Sequence, residues 1–128
     1  MGAYSLRNVV PIGFGDARPG DFHVDAAGLL TDRPAPGGQD VECGGAFVSP
    51  GWADMHVHVW YGGSDFSVRA DDAGMKHGVT AMADAGSAGE ANFHGLREYV
   101  IERQRETIKA FVNIGSIASM TAMGRGHI

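Results

Sequence analysis

The chain has 128 residues and a formal net charge of −5, and its 10 Lys and Arg residues form no cluster. This balance argues against nucleic acid or an anionic membrane surface as a partner. The single cysteine, Cys43, excludes an internal disulfide and fits a reducing compartment. No apolar run approaches the roughly 18 residues of a membrane span, and the N-terminus lacks a signal pattern, so we expect a cytoplasmic protein.

Residues 1–48 predict a small β layer. The segment Arg33–Gly38 contains two prolines and two glycines, which predicts a loop rather than a helix. Short runs rich in apolar and β-branched residues, separated by Gly and Pro, favour strands on both sides of that loop. These predicted strands cover residues 4–10, 22–25, 41–43 and 46–48.

From residue 49 onward the sequence alternates between strand and helix patterns. A short helix is predicted to begin at Asp71 or Asp72 and to end at Gly78, and a longer helix is predicted over residues 91–107. The order βαβαβ implies a parallel sheet with right-handed crossovers, and therefore an α/β fold. The three predicted strands cover residues 52–59, 79–84 and 110–116.

The first of these strands carries the residues of greatest chemical interest. Because side chains alternate along a strand, Asp54, His56 and His58 share one face. Two imidazoles spaced in this way are able to bind one cation, and imidazole is a good ligand for zinc and similar metals. Half-buried, hydrogen-bonded histidines are the alternative explanation, but the acidic residue and the Pro50-Gly51 turn before them favour metal ligation.

Two segments resemble a known family. The run PGWADMHVH, at residues 50–58, resembles the first-strand signature of the amidohydrolase superfamily. The run GVTAMADAGSAG, at residues 78–89, resembles its second strand and is most similar to the amidohydrolase/deacetylase branch, often called dihydroorotase-like. The likeness extends from Ala46 to about Ser116.

This resemblance implies a fold. Residues 1–48 would supply the N-terminal strands of a composite β-sandwich, completed in the family by strands from the far C-terminus. Residues 49–128 would form the first three βα units of a TIM-barrel-like metallohydrolase. Such a barrel typically requires about 250 residues. We therefore expect an incomplete barrel, and a truncated portion of an enzyme that is inactive by itself.

The resemblance also implies a chemistry. His56 and His58 would bind a divalent metal, usually zinc, and Asp54 would orient an imidazole N–H. A metal-activated water would then attack an amide or ester acyl bond of a small acylated substrate, as in a deacetylase. The family's remaining ligands and its general-base aspartate come from later strands, so no catalytic residue is identifiable in this chain.

Two aromatic residues after the histidines bear on the substrate. True dihydroorotases of the family carry an arginine two residues after the second histidine, where this chain has Trp60. That difference argues against dihydroorotase activity and favours a deacylase. Trp60 and Tyr61 are candidates for lining the substrate cleft, with packing under the following loop as the alternative for Trp60. Ser87 is a third candidate for contact with substrate.

Two other functions are compatible with the sequence. The segment 85–89 differs at one position from the Gly-x-Ser-x-Gly elbow, which would make Ser87 the nucleophile of a serine hydrolase. The alternative interpretation of this segment is a plain glycine-rich turn at residues 86–89, with Ser87 or Asn92 capping the next helix. Alternatively, three parallel strands with an unpaired edge predict a non-catalytic fragment that self-associates or binds a complementary chain.

Overall fold

The computed structural model describes residues 2–15 and 18–118, and the chain divides into two compact units between Pro50 and Gly51. Strands are the only regular elements described in the first unit, whereas the second unit is mixed α/β. Among the described residues, no helix has the length and apolar character needed to cross a membrane.

The first unit is a five-stranded sheet built around its longest strand. That strand, β1, pairs antiparallel with β2 and parallel with β4 and β5, while β3 extends the sheet beyond β2. The strands are β1 (Tyr4–Pro11), β2 (Gly20–Val24), β3 (Leu30–Thr31), β4 (Gln39–Glu42) and β5 (Phe47–Val48).

A bulge interrupts β1 at Asn8. The register against β2 shifts between Leu6 and Val9, and Asn8 adopts a positive φ of 56°. The Asn8 N–H donates to Asp21 Oδ1 on β2 at 2.9 Å, and the Arg7 guanidinium lies 2.7 Å from the other oxygen of Asp21. Asp21 therefore ties the irregular part of β1 to its neighbour.

The second unit has a parallel sheet in the order β6-β7-β8, formed by Trp52–Val57, Val79–Gly89 and Thr107–Asn113. Helix α1 (Ala70–Ala73) and a 3₁₀ turn precede β7, and helix α2 (Phe93–Tyr99) and a second 3₁₀ turn precede β8. Burial of apolar side chains from the strands and the segments between them forms one cluster. Its buried members are Val59, Ala70, Met82 and Ile108.

The predicted cap of the first helix is wrong. Arg69 occupies the N-cap position and makes no side-chain capping hydrogen bond, while Asp71 and Asp72 lie in the first turn. There the two carboxylates complement the positive end of the helix dipole. The helical segment closes at Gly78, whose φ of +78° is the left-handed conformation that glycine adopts without strain.

The second predicted helix is too long and the third predicted strand starts too late. Regular helix stops at Tyr99, and β8 runs over Thr107–Asn113 instead of residues 110–116. The β-branched residues Thr107 and Ile108 favour a strand, and Ile108 is buried opposite Met82. Lys109 therefore lies inside the strand and is exposed.

The glycine-rich segment at residues 86–89 is also not the predicted turn, because it continues β7. The register against β8 passes from Asp84 paired with Ala110 to Ala88 paired with Val112, so four steps on β7 oppose two on β8. This irregularity is a bulge in which Gly86 adopts a φ of +93°.

The turn before α2 comes later, at residues 90–92. Neither candidate cap bonds the helix. Ser87 lies inside the strand, and Asn92 occupies the N-cap position without a capping hydrogen bond. The Asn92 amide instead accepts the Gly89 N–H at 2.9 Å and donates to the Ile117 carbonyl at 3.0 Å, which fixes the strand-to-helix connection.

Candidate metal centre

His56 and His58 lie at the carboxyl end of β6. The strand ends at Val57, two residues before the predicted end, because the main chain then finds other partners. The His58 carbonyl accepts the Val68 N–H at 2.9 Å, and the Val59 N–H donates to Asp84 Oδ2 at 2.9 Å. The two imidazole rings nevertheless stay adjacent, with centroids 5.7 Å apart and planes at 79°.

Asp54 contacts this pair through the main chain. Its Oδ1 accepts the His56 backbone N–H at 2.9 Å, which is a local hydrogen bond within the strand. No imidazole nitrogen is a hydrogen-bond partner of Asp54 in the part of the chain that the structure describes. Orientation of an imidazole by Asp54 therefore stays a prediction.

His58 is the better fixed of the two histidines. Its Nδ1 lies 2.9 Å from Ser87 Oγ on β7, at hydrogen-bond distance. Phe66, from the loop after β6, meets the imidazole edge-to-face with ring centroids 4.6 Å apart. These contacts hold a half-buried ring in one orientation, whereas His56 is exposed.

Ser87 in turn is held by Asp84, which is completely buried at 0 % exposure. The Asp84 carboxylate accepts four hydrogen bonds. Its Oδ1 accepts the N–H groups of Gly86 at 3.1 Å and Ser87 at 2.7 Å. Its Oδ2 accepts the Val59 N–H at 2.9 Å and the Ser87 hydroxyl at 2.8 Å. Burial of a carboxylate is costly without such partners, and here both oxygens are satisfied.

Two more buried serines extend the network. Ser64 and Ser67, in the loop after β6, share a short hydrogen bond between their hydroxyls. Ser67 Oγ also lies 3.5 Å from Ser87 Oγ. Every buried side-chain nitrogen or oxygen of the described residues has a hydrogen-bond partner, so this polar cluster is internally complete.

The structure does not give Ser87 the geometry of a nucleophile elbow. An elbow exposes the serine on a sharp turn between strand and helix. Ser87 is 1 % exposed and lies within β7, and its hydroxyl proton is directed to Asp84. A nucleophilic serine needs that proton to pass to a base such as histidine. The predicted strand-to-helix elbow at Ser87 is therefore wrong, whereas a nucleophilic role for this serine stays a prediction.

Trp60 and Tyr61 are engaged by neighbouring residues. The Trp60 indole covers Gly63 and lies so close to Gly95 of α2 that a Cβ there would be 3.3 Å from the ring. The Arg69 guanidinium lies 4.2 Å from the centroid of the exposed Tyr61 ring, a cation–π distance. Packing explains Trp60 directly, and a substrate contact for either residue stays a prediction.

The donor set fits one part of a metal site. Two neutral imidazoles at adjacent positions suit zinc or a similar divalent ion, which usually takes four ligands in structural sites and three protein ligands in catalytic ones. No group of three or more His, Cys, Asp and Glu side chains with metal-site geometry occurs within residues 2–15 and 18–118. His77 and His94 are exposed in helical segments, and His127 lies outside the described residues.

Sequence reasoning missed Asp84 and Phe66. The signal for Asp84 was present in the order Asp-Ala-Gly-Ser, because a carboxylate two and three residues before backbone N–H groups forms a local Asx-type turn. Phe66 carried no comparable signal, since only the path of the loop brings its ring to His58.

Comparison with known proteins adds independent information. No protein-family model matches the chain. It is 51 % identical over 121 residues to a deacetylase of Agrobacterium fabrum and 49 % identical over 121 residues to a deacetylase of Brucella anthropi. Each match covers 88 % of this chain, but the chain spans only 30 % of the length of either relative.

Solved structures give the same correspondence. The crystal structure of a dihydroorotase superposes with a TM-score of 0.83 at 47 % identity, covering 94 % of this chain and 33 % of that one. An adenine deaminase superposes with a TM-score of 0.68 over 91 % of this chain and 32 % of that one. At 20 % identity, the second likeness speaks for the fold alone.

Proposed function

We propose that this chain, which belongs to the amidohydrolase superfamily, supplies the first-strand metal ligands of an acyl hydrolase. The bond cleaved would be an amide or ester acyl bond of a small acylated substrate. The names of the two bacterial relatives support a deacetylase reaction.

The ligands in this proposal are His56 and His58. The observation that carries it is the adjacency of their rings, 5.7 Å between centroids, at the carboxyl end of a parallel strand, the end at which barrel enzymes place their sites. A divalent cation bound there, with zinc favoured by imidazole, would lower the pKa of a water and polarise an acyl carbonyl. Phe66 and Ser87 fix the His58 ring for that task.

The rest of the site lies outside the described residues in this proposal. Strands β6, β7 and β8 would be the first three strands of an eight-stranded barrel, and the sheet of residues 1–50 would belong to a composite sandwich. Further ligands and the general base would come from later strands. Trp60 and Tyr61 would border the acyl substrate.

The test is metal content. The purified chain is equilibrated with Zn²⁺, freed of excess ion and assayed by elemental analysis. We expect bound zinc in the wild type, and its loss in His56→Ala and in His58→Ala, because each variant removes one of two nitrogen ligands. His94→Ala is the matched control, since this exposed histidine of α2 lies outside the pair.

Two results would contradict the proposal. One is a wild-type chain that retains no zinc after equilibration at any of the zinc concentrations tested. The other is zinc that stays bound in both single variants, which would place the ion elsewhere. Loss of zinc in His94→Ala as well would indicate non-specific binding through surface histidines.

A non-catalytic role through association is supported by exposed apolar side chains on β6 and β8. Met55 is 72 % exposed and Phe111 is 64 % exposed, and Trp52 and Val112 are also exposed. Within the described residues, the outer edges of β6 and β8 pair with no further strand. Such edges favour pairing with a second copy or a complementary chain. Sedimentation velocity over a concentration series tests this, and a monomer throughout would refute self-association.

A further inference from the structure

The hydrogen bonds around Ser87 assign the positions of two protons. A serine hydroxyl has one proton to donate and two lone pairs. The Asp84 carboxylate accepts three N–H groups, and the Ser87 hydroxyl is the fourth donor, directed to Asp84 Oδ2. The contact of 2.9 Å between Ser87 Oγ and His58 Nδ1 is then a hydrogen bond that the imidazole donates.

We propose that Asp84 and Ser87 are positioning residues that fix His58 as its Nδ1–H tautomer. In that tautomer Nε2 carries the free lone pair and is the nitrogen able to ligate a cation. Metal-binding histidines are commonly fixed by a hydrogen bond from their other ring nitrogen. The ligand step of this inference rests on the function proposed above, but the tautomer does not.

The hydrogen bonds from His58 to Ser87 and from Ser87 to Asp84 are called the relay below. The bulge in β7 explains why the relay forms. Oδ1 of Asp84 holds the N–H groups of Gly86 and Ser87, so the bulge wraps around the carboxylate. The same bulge directs the Ser87 side chain to Oδ2 and to His58. Phe66 meets the imidazole edge-to-face, which restrains rotation of the ring about the Ser87 hydrogen bond. The bulge in β7 therefore sets the tautomer of His58, which follows β6.

His56 provides an internal comparison. It is exposed, and its imidazole nitrogens have no hydrogen-bond partner among the described residues, so none of these residues selects its tautomer. We expect His56 to populate both tautomers in the metal-free chain, whereas His58 populates one. The two histidines therefore report the effect of the relay within a single sample.

The experiment reads the tautomer directly. Long-range ¹H–¹⁵N NMR on the metal-free chain, at a pH where His58 is neutral, distinguishes a protonated ring nitrogen from one with a lone pair. We expect His58 Nδ1 protonated in the wild type and in Ser87→Thr, which keeps a hydroxyl. We expect a mixture in Ser87→Ala, which removes the acceptor. Ser116→Ala is the control, because its exposed side chain is outside the network.

Asp84→Asn tests the direction of the relay. The amide oxygen would keep the N–H groups of Gly86 and Ser87, because that orientation leaves only the Val59 N–H without its acceptor. The N–H₂ in place of Oδ2 would then donate to Ser87 Oγ, so the hydroxyl proton would turn to His58 Nδ1. We therefore expect this variant to reverse the tautomer and to place the proton on Nε2. A His58 that keeps Nδ1–H in both Ser87→Ala and Asp84→Asn would overturn the proposal.

Zinc affinity is measured on the same variants by competition with a chromophoric chelator. We expect Ser87→Ala to bind zinc about 10- to 100-fold more weakly, the usual effect of losing such a support, and Ser87→Thr to recover most of the affinity. A changed tautomer with unchanged zinc affinity would overturn the positioning role. A wild type that binds no zinc but shows the predicted tautomers would refute the proposed function and leave the hydrogen-bond assignment standing.

Discussion

Each unit of the chain contains a strand bulge whose main chain is hydrogen-bonded to an aspartate side chain. The two aspartates differ in their exposure to solvent. In β1, Asn8 at φ +56° donates its N–H to Asp21, which is exposed and paired with Arg7. In β7, Gly86 at φ +93° donates its N–H to Asp84, which is fully buried. The exposed carboxylate has a cation as partner, whereas the buried one has only main-chain N–H groups and a hydroxyl.

The difference shows what burial requires of a carboxylate. At the surface, water completes the shell of Asp21, and the ion pair adds little to the stability of the unit. In the interior, each acceptor position must be filled by the protein, so Asp84 organises four donors around itself. The buried bulge is therefore the one able to impose an orientation on a neighbouring ring, His58.

Removal of the buried carboxylate should have the largest effect. Asp84→Ala leaves the N–H groups of Val59, Gly86 and Ser87 without their acceptor. Because an unsatisfied buried group costs about 1–3 kcal/mol, we expect a loss of roughly 3 kcal/mol or more in the free energy of unfolding. Urea denaturation followed by circular dichroism measures it.

The matched variant is Asp21→Ala, which removes the aspartate of the other bulge. The freed Asn8 N–H then meets solvent, so we expect a clearly smaller loss of stability than for Asp84→Ala. Equal losses of stability in the two variants would show that burial does not determine how much each aspartate contributes to the free energy of unfolding.

The backbone of the buried bulge should give an intermediate effect. Gly86→Ala places a Cβ where the nearest non-neighbouring atom is 3.6 Å away, so there is room for it. The φ of +93° is nevertheless unfavourable for alanine, and we expect destabilisation of about 1–2 kcal/mol.

Gly20→Ala is the control for that change. Gly20 lies in β2 without a positive φ, and the nearest atom to an added Cβ is 3.9 Å away. We expect its effect on the urea midpoint to be small or slightly stabilising, because alanine reduces the freedom of the unfolded chain. A urea midpoint for Gly86→Ala equal to that for Gly20→Ala would show that the backbone conformation of the bulge does not require glycine at residue 86.

Short-range patterns in the sequence predicted part of this site. Alternation along the first strand placed His56 and His58 together, and their rings are adjacent. The family resemblance read from residues 50–58 and 78–89 is confirmed by the deacetylase and dihydroorotase matches. Both depend on the identity and spacing of neighbouring residues, which the sequence states directly.

The rest depended on register, which the sequence does not state. Glycines at residues 86–89 indicate a turn by composition, but pairing with β8 keeps them in a strand and absorbs Gly86 as a bulge. That pairing buries Ser87 inside the strand, where its hydroxyl contacts His58 instead of lying exposed on the predicted turn. The function of a residue at a bulge follows from its cross-strand partners, and these are fixed only when the sheet assembles.

The smallest expected effect is the contribution of the exposed Asp21 to the pH dependence of stability. The direction of this dependence follows from the lowered pKa of Asp21. The N–H of Asn8, and after it the Arg7 guanidinium, lower the pKa of Asp21 below its ordinary value of 3.8. The folded state therefore favours ionised Asp21, so its contribution to stability is present above pH 3.8 and is lost as the pH falls through the lowered pKa.

Carboxyl ¹³C NMR titration measures this pKa. In Arg7→Met we expect it to rise but to stay below 3.8, because the larger cause, the Asn8 N–H in the bulge, remains. A rise to 3.8 or above would mean that Arg7 alone stabilises the charge, and that the exposed bulge, unlike the buried one, does not hold its aspartate through the main chain.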